Sequence, residues 1–529
     1  MKIAELNNGD ISMQTTNKTY SELCFEYHCI NDWPPLAWFS ECSKKNNKIT
    51  VWHGNGVEIN PKWFCEAVWP GNFLEGDFDE TDLMAGTGSR IRGNSVIFVS
   101  PGNTVDRILS LETEEKFFVS NSLACLLAIS GARIDPTYPE YYEDFTTILK
   151  GILEYKKTLR TSLGDIQITM FGFVIWSELG ISYAVREAVD RTFSDFNQYE
   201  QFLQSNLSRL VENMSDPNRK RKYQLLSTAS SGYDSTAIAA LSRKIGCEYA
   251  LCIDKDRFGN SENGDQIAAY LKLNPIKIQR DAWRQLNGEE LFFLAADGTA
   301  EAVPIVSAGD ILTNKVLLTG YHGDKLWSKD TKDLSENIVR GDSSGLSLTE
   351  YRLWKAFIHC PMTFWGVQQI RFINEISNSE EMKPWDIPGD YSRPIPRRIA
   401  ESAGIPRNTF GITKKASAVD STEFLSAVTL QNYRSWLINN RLEWFKRGRV
   451  PPIVNQHYEQ AVEKIYYFIQ RMLLKIPYFW RFVPNNSLDR PSHFRKYVFA
   501  WAIDQVKDRY HLRFEQNTND TDKSLKKAQ

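Results

Sequence analysis

The rhythm of apolar and polar positions changes along the chain. Up to about residue 190 the apolar residues come in short runs: Ile49–Trp52, Ser95–Val99, Arg107–Leu111, Lys116–Val119, Asp165–Thr169 and Val174–Ser177. Gly, Pro, Asn and Asp cut these runs apart, which is the punctuation of strands and turns. A helix is predicted over Ser122–Ile129. A longer one is predicted over Asp195–Met214, where Phe196, Phe202, Leu203, Leu207, Leu210 and Val211 fall at helical spacing. From Tyr223 the pattern alternates: strand Tyr223–Ser227, helix Ser235–Lys244, strand Glu248–Ile253, helix Gly264–Leu271, strand Ile276–Gln279. That order predicts a parallel sheet with helices on its faces. Beyond about residue 335 the chain reads as helical and aromatic, with Leu348–Phe357, Thr422–Asn439, Tyr458–Leu474 and Phe494–Tyr510 as helices, and Gln516–Gln529 reads as a frayed polar tail.

Composition narrows the class. At 42% hydrophobic and 24% charged residues in a chain of 529, a large core can form and disorder over most of the length is excluded. The net charge of −2 offers no field for nucleic acid or an anionic membrane. No window has the apolar length of a transmembrane segment. The eight cysteines form no Cys-x-x-Cys pair and sit in apolar stretches, which predicts free thiols and a reducing, cytoplasmic setting. No two of the seven histidines show metal-ligand spacing.

The candidate chemistry lies in Ser230-Ser231-Gly232-Tyr233-Asp234-Ser235, between a predicted strand and the helix after it. Ligands of open parallel sheets bind at the carboxyl ends of the strands. The first amides of a helix are unpaired and its dipole is positive there, so an anion is favoured. Ser230, Ser231 and Ser235 add hydroxyl donors, and Gly232 admits close backbone approach. Asp234 would repel bound phosphate unless it held a cation, which assigns it to Mg²⁺. A plain capped helix is the competing reading of this loop, since Ser and Asp are common at helix starts.

This loop resembles the S-G-G-x-D-S motif of the asparagine synthetase-like ATP pyrophosphatases, with Ser231 where Gly is usual. A second stretch, Val316-Leu317-Leu318-Thr319-Gly320-Tyr321-His322-Gly323-Asp324-Lys325-Leu326-Trp327, resembles the same family's strand and G-x-G-[AS]-D-E-L-F turn, with His322 and Lys325 as departures. The resemblance implies that Asp234 and Asp324 share Mg²⁺ and that Gly320 and Gly323 belong to the ATP site. A third stretch, Arg393–Ala400 leading to Gly411-Ile412-Thr413-Lys414-Lys415-Ala416, resembles the segment that carries the family's catalytic lysine. Lys414 or Lys415 would serve, with Lys415 preferred. Asn260–Asp265, where the family has an acidic cluster, reads here as a helix N-cap, with facing the nucleotide as the other reading.

Gly71-Asn72-Phe73, Thr87-Gly88-Ser89-Arg90 and Phe117–Leu127 resemble the class II glutamine amidotransferase domain. That family's nucleophile is a cysteine at position 2, and Lys2 stands there, so glutaminase chemistry is expected to be absent. The implied architecture is α/β: a degenerate Ntn-type αββα sandwich over 1–192, a PP-loop (HUP-like) synthetase domain with a helical C-terminal extension over 193–515, and a tail over 516–529. It is similar in style to the β-lactam synthetase and lassopeptide cyclase branch. The implied activity is amide ligation: ATP and Mg²⁺ activate a small-molecule or peptide carboxylate as its adenylate, and an amine takes the acyl group. A homo-oligomer or a biosynthetic partner protein is compatible with this. The alternative is a non-catalytic scaffold that retains the fold.

Overall fold

A computed structural model describes residues 23–44, 48–286, 288–389, 391–412, 416–419, 425–440, 442 and 496–510. Lys414, Lys415, the helix expected over Tyr458–Leu474 and the tail lie outside the described residues.

The protein is mixed α/β, and its described residues form three sheets. Two belong to the first part of the chain, one of seven strands and one of six. Alternation along their strands sends one set of side chains between the sheets. Trp38, Ile49, Val51, Ile108, Phe117 and Val119 from the first meet Phe64, Val96, Phe98, Val174 and Trp176 from the second, all buried. On the outer face of the seven-stranded sheet lies the helix Leu123–Ser130, capped by Ser122 accepting from the Cys125 amide and ended by Gly131 at φ 75°. The outer face of the six-stranded sheet is covered by Trp69, Phe73 and Phe78 from an irregular stretch. Cys24 and Cys29, at the two ends of an edge strand, are exposed, and the other six thiols are buried. Burial thus holds for six of the eight, four of them in strands, while an edge position leaves the first two open.

Each expected strand in this part is present, within a few residues: Lys48–His53, Ser95–Val99, Ile108–Glu112, Lys116–Ser120, Gly164–Thr169 and Gly172–Ser177. Strands such as Trp63–Val68 and Ala85–Arg92 were not foreseen. Trp63–Val68 is buried on both faces, so it shows no alternation, and Ala85–Arg92 carries two glycines.

The helix Phe196–Met214, capped by Asp195, leads into a third, five-stranded sheet that is wholly parallel. Its spatial order is Asn274–Ile278, Tyr249–Ile253, Gln224–Thr228, Lys315–Thr319, Ile358–Pro361. Counted along the chain this is third, second, first, fourth, fifth. The direction of winding therefore reverses between Gln224–Thr228 and Lys315–Thr319, and a crevice opens at their carboxyl ends. The fifth strand falls in the region expected to be helical. It is four residues long and buried throughout, too short and too uniform to announce itself by period. Helices Leu348–Lys355, Ala427–Asn439 and 498–510 agree with the expectation over their described residues. One apolar core runs from Phe39 and Leu126 through Leu207 to Leu226 and Leu317, so the parallel sheet and the seven-stranded sheet are joined by packing. Among the described residues no helix is long and apolar enough to cross a membrane.

Candidate functional site

A cavity of about 250 Å³ opens at the point where the winding reverses. Its wall includes Ser230, Gly232, Asp234 and Ser235 from the first loop, and Gly320, His322 and Asp324 from the fourth strand's loop. Two stretches about ninety positions apart are thus brought to one space, as the parallel pairing of Leu226 with Leu317 requires.

The first loop ends on Gly232, the N-cap of the twelve-residue helix Tyr233–Lys244. The Ser230 and Ser235 hydroxyls face each other at 2.5 Å, and the Gly232 amide donates to Ser230 Oγ at 3.1 Å. A Cβ at Gly232 would stand 3.3 Å from Ser230 Oγ and 4.0 Å from Ser235 Oγ, so it would intrude on this hydroxyl cradle. Ser231 is turned elsewhere. Its amide and hydroxyl donate to Glu262 Oε2 at 3.2 and 3.0 Å. Glu262 is buried and lines the cavity, and the helix that follows it, Gly264–Tyr270, has no side-chain cap from Asn263. The acidic stretch therefore braces the loop rather than capping its own helix. The serine at the position where Gly is usual adds a hydroxyl contact to Glu262 that a glycine would lack.

Gly320 and Gly323 are needed for contact between the loops. A Cβ on Gly320 would lie 2.7 Å from the Asp234 backbone carbon, and one on Gly323 would lie 2.5 Å from the Asp234 carboxyl carbon. Nothing larger than hydrogen fits at either place. Between them His322 has φ 79°, an uncommon left-handed conformation for a residue with a side chain. Its ring is stacked on Phe364 with centroids 4.7 Å apart. It is buried, and that burial, with Arg340 nearby, pushes the imidazole down to about 3, so it is neutral near pH 7.

Asp234 also forms an ion pair with Arg393, which was read only as the first residue of the lysine-bearing segment. The guanidinium is buried and lies 5.3 Å from the centre of the Tyr391 ring. Burial works against its charge, yet Asp234, with Tyr391 and Asp324, outweighs that and holds Arg393 above its ordinary range. No local signal marks Arg393, because its partner is 159 positions away. Tyr233, the variable residue of the loop, fastens this segment down. Its hydroxyl accepts from Arg397 at 2.6 Å, and its ring meets Tyr391 and Phe410. Gly411, at φ 63°, comes so close that a Cβ would sit 2.4 Å from that ring, and its amide donates to Ser231 O at 2.9 Å.

Ala416, Ser417 and Ala418 line the cavity, held by Arg257 N–H and by the Arg280 guanidinium. Leu251, Ile253, Pro304 and Ile305 give part of the wall an apolar surface. The wall also carries Glu301 and Asp342. Neither was singled out from the sequence, since each is an isolated acid outside any motif.

For magnesium the chain offers two carboxylates, Asp234 and Asp324, in one cavity. Among the described residues no group of three or more His, Cys, Asp or Glu converges to hold a metal. Two carboxylates plus oxygens from phosphate and water is the usual donor set for Mg²⁺, which resists full dehydration, so the residues fit that ion when a phosphate ligand is present. The arrangement can accept a polyphosphate: a helix start, two hydroxyls, a buried guanidinium and a pair of metal-competent carboxylates.

No protein-family model matches the chain, and no curated protein matches it in sequence.

Proposed function

We propose that this protein is an AMP-forming amide ligase of the asparagine synthetase type. In this reading the two facing sheets are a degenerate Ntn-type αββα sandwich and the parallel sheet is a PP-loop domain. One observation carries the reading: the Ser230/Ser235 cradle, Asp234, Asp324 and Arg393 share a cavity where the sheet's winding reverses. ATP is the polyphosphate. Mg²⁺ held by Asp234 and Asp324 would neutralise phosphate charge. Ser230, Ser235 and the Gly232–Ser235 amides hold phosphate oxygens, and Glu262 fixes the loop through Ser231. The apolar wall near Leu251 and Ile253 takes the base.

A substrate carboxylate oxygen attacks the α-phosphorus. The α–β phosphoanhydride bond breaks, and pyrophosphate leaves with its electron pair. An amine nitrogen then attacks the acyl carbon, AMP leaves, and the ammonium proton is lost to solvent. Arg393 turns from Asp234 to the departing pyrophosphate, where a bidentate guanidinium suits phosphate. Lys415 or Lys414 supplies further positive charge. The protein acts by positioning and by charge neutralisation.

Phosphorus NMR of the protein with Mg·ATP and a fractionated extract of its host tests this, with Asp234→Ala as control. AMP and pyrophosphate should appear with wild type and not with the variant. ADP and phosphate would overturn the assignment. If wild type binds Mg·ATP no better than Asp234→Ala and Asp324→Ala, the scaffold reading replaces it.

A further inference from the structure

One acid of the cavity wall is only half used. Glu262 is 6% exposed and lines the cavity. Both of its contacts with Ser231 fall on Oε2. Oε1 takes no hydrogen bond from any described residue, and it is not sealed from solvent. The small exposed area of a side chain that lines a cavity faces that cavity, so an acceptor atom is presented there without a donor. A largely buried acid gains from a ligand that completes its hydrogen bonds.

Its place in the sheet identifies the donor. The Glu262 amide donates to Asp254 O at 2.9 Å, which fixes the main chain. Two residues on, a Cβ at Gly264 would stand 2.2 Å from Ala229 O, so this stretch is pressed against the residue that leads into Ser230. The Ala229 amide in turn donates to Leu251 O at 3.0 Å. Glu262 therefore reaches the cavity where the hydroxyl cradle after one strand adjoins the Leu251 and Ile253 wall of its parallel neighbour. In a nucleotide the sugar joins base to phosphate. With the base on that wall and the phosphates on the cradle, the sugar comes to this place. Doubly wound sheets put an acid at the same station, after the strand beside the phosphate loop, to accept from a ribose hydroxyl. A hydroxyl is a neutral donor, so it answers the acid and separates it from the phosphate charge.

We infer that Glu262 Oε1 accepts a hydrogen bond from a ribose hydroxyl, so that the site selects ribonucleotides by their sugar. The inference rests on the nucleotide part of the ligase reading. It gives Glu262 two tasks on two oxygens: Oε2 holds the loop through Ser231, and Oε1 reads the ligand.

The test is calorimetric titration of the full chain with ATP and with 2′,3′-dideoxy-ATP, both in Mg²⁺. Wild type should bind ATP about tenfold tighter than the dideoxy analogue, the worth of one hydrogen bond to an acidic group. Glu262→Gln keeps an oxygen for Ser231 and puts an amide N–H₂ where Oε1 stood, so the preference should fall to about twofold or less while thermal melting remains cooperative. Glu262→Asp keeps the carboxyl but draws it back by one carbon. It should lower the preference too, and it carries the test if Glu262→Gln does not fold. Ser231→Gly removes a contact of Oε2 alone. It should weaken both nucleotides alike and leave their ratio near tenfold, which a purely bracing role for Glu262 does not predict. Equal binding of the two nucleotides by wild type overturns the sugar contact and leaves the nucleotide site standing. A preference that survives in the Glu262 variants, or that Ser231→Gly abolishes, also overturns it. ATP binding to wild type no tighter than to Asp234→Asn removes the nucleotide reading itself, and the sugar contact with it.

Discussion

Two arginines in this protein make buried ion pairs of similar chemistry and opposite purpose. Arg352, on helix Leu348–Lys355, meets Glu66 with both terminal nitrogens, at 2.6 and 3.0 Å, and meets Asp106 through Nε. Glu66 also accepts from the Thr87 amide and hydroxyl and from Asn121. All of these groups are buried, and they bind the first part of the chain to the helix that precedes the fifth parallel strand. Arg393 has one carboxylate partner, Asp234, at the edge of a cavity. Its company is aromatic, and aromatic faces hold a guanidinium without fixing its direction. A fully answered charge cluster is a fastening. A charge pair with one side open to a cavity is available to a ligand.

The contrast can be broken at several points. The largest effect is expected from Arg352→Met, which strands two buried carboxylates. Urea denaturation should show a loss of about 3–5 kcal/mol. Retention of wild-type stability would mean that the cluster fastens nothing. Arg393→Met should cost less, about 1–3 kcal/mol, because Asp234 can turn to the cavity. AMP formation should fall about a hundredfold in that variant, the worth of one preorganised charge contact in a transition state. If stability and turnover drop together in both variants, the two arginines do the same work and the comparison fails.

Gly323→Ala tests the loop contact that places Asp234. The added methyl displaces the carboxyl, and overpacking of this kind costs about 1–3 kcal/mol. The magnesium concentration for half-maximal nucleotide binding should rise, while the Arg352 cluster keeps most of the fold's stability.

The smallest effect concerns pH. Glu301 has its folded pKa raised from the ordinary 4.5 to about 8. A raised carboxyl favours the folded state while it is protonated, so its contribution is complete below about pH 4.5 and is lost as pH rises through about 8. Relative to Glu301→Gln, the wild-type melting temperature should therefore fall by about 1–2 °C between pH 5 and pH 9. A difference that is flat with pH, or that grows in the other direction, would mean that burial and the charges of Asp342 and Asp297 do not raise this carboxyl.

The parallel sheet is legible in the sequence, because each of its first four strands is a short run beside a helix with its own period or a Gly-rich turn. The two Asp-bearing loops were legible for a similar reason: a strand, a Gly- or Ser-rich turn and a carboxylate lie within a dozen residues of each other. Ser231 could be noticed as a departure, but its partner could not, since Glu262 approaches only when the neighbouring strand is in register. Gly320 and Gly323 stood out as turn residues, and their reason, the flank of Asp234, belongs to a second loop.

By itself the sequence determined most of the strands and helices, that the later strands run parallel, and which two loops carry the candidate donors. These depend on side-chain period and turn chemistry over a few neighbouring residues. Only the tertiary structure decided the strand order with Ile358–Pro361 at its edge, the placing of Arg393 on Asp234, and the presence of Glu301, Asp342 and His322 in the wall of the same cavity. Those pairings join residues far apart in the chain. Their energy exists only after the strands have stacked, and no local pattern records it.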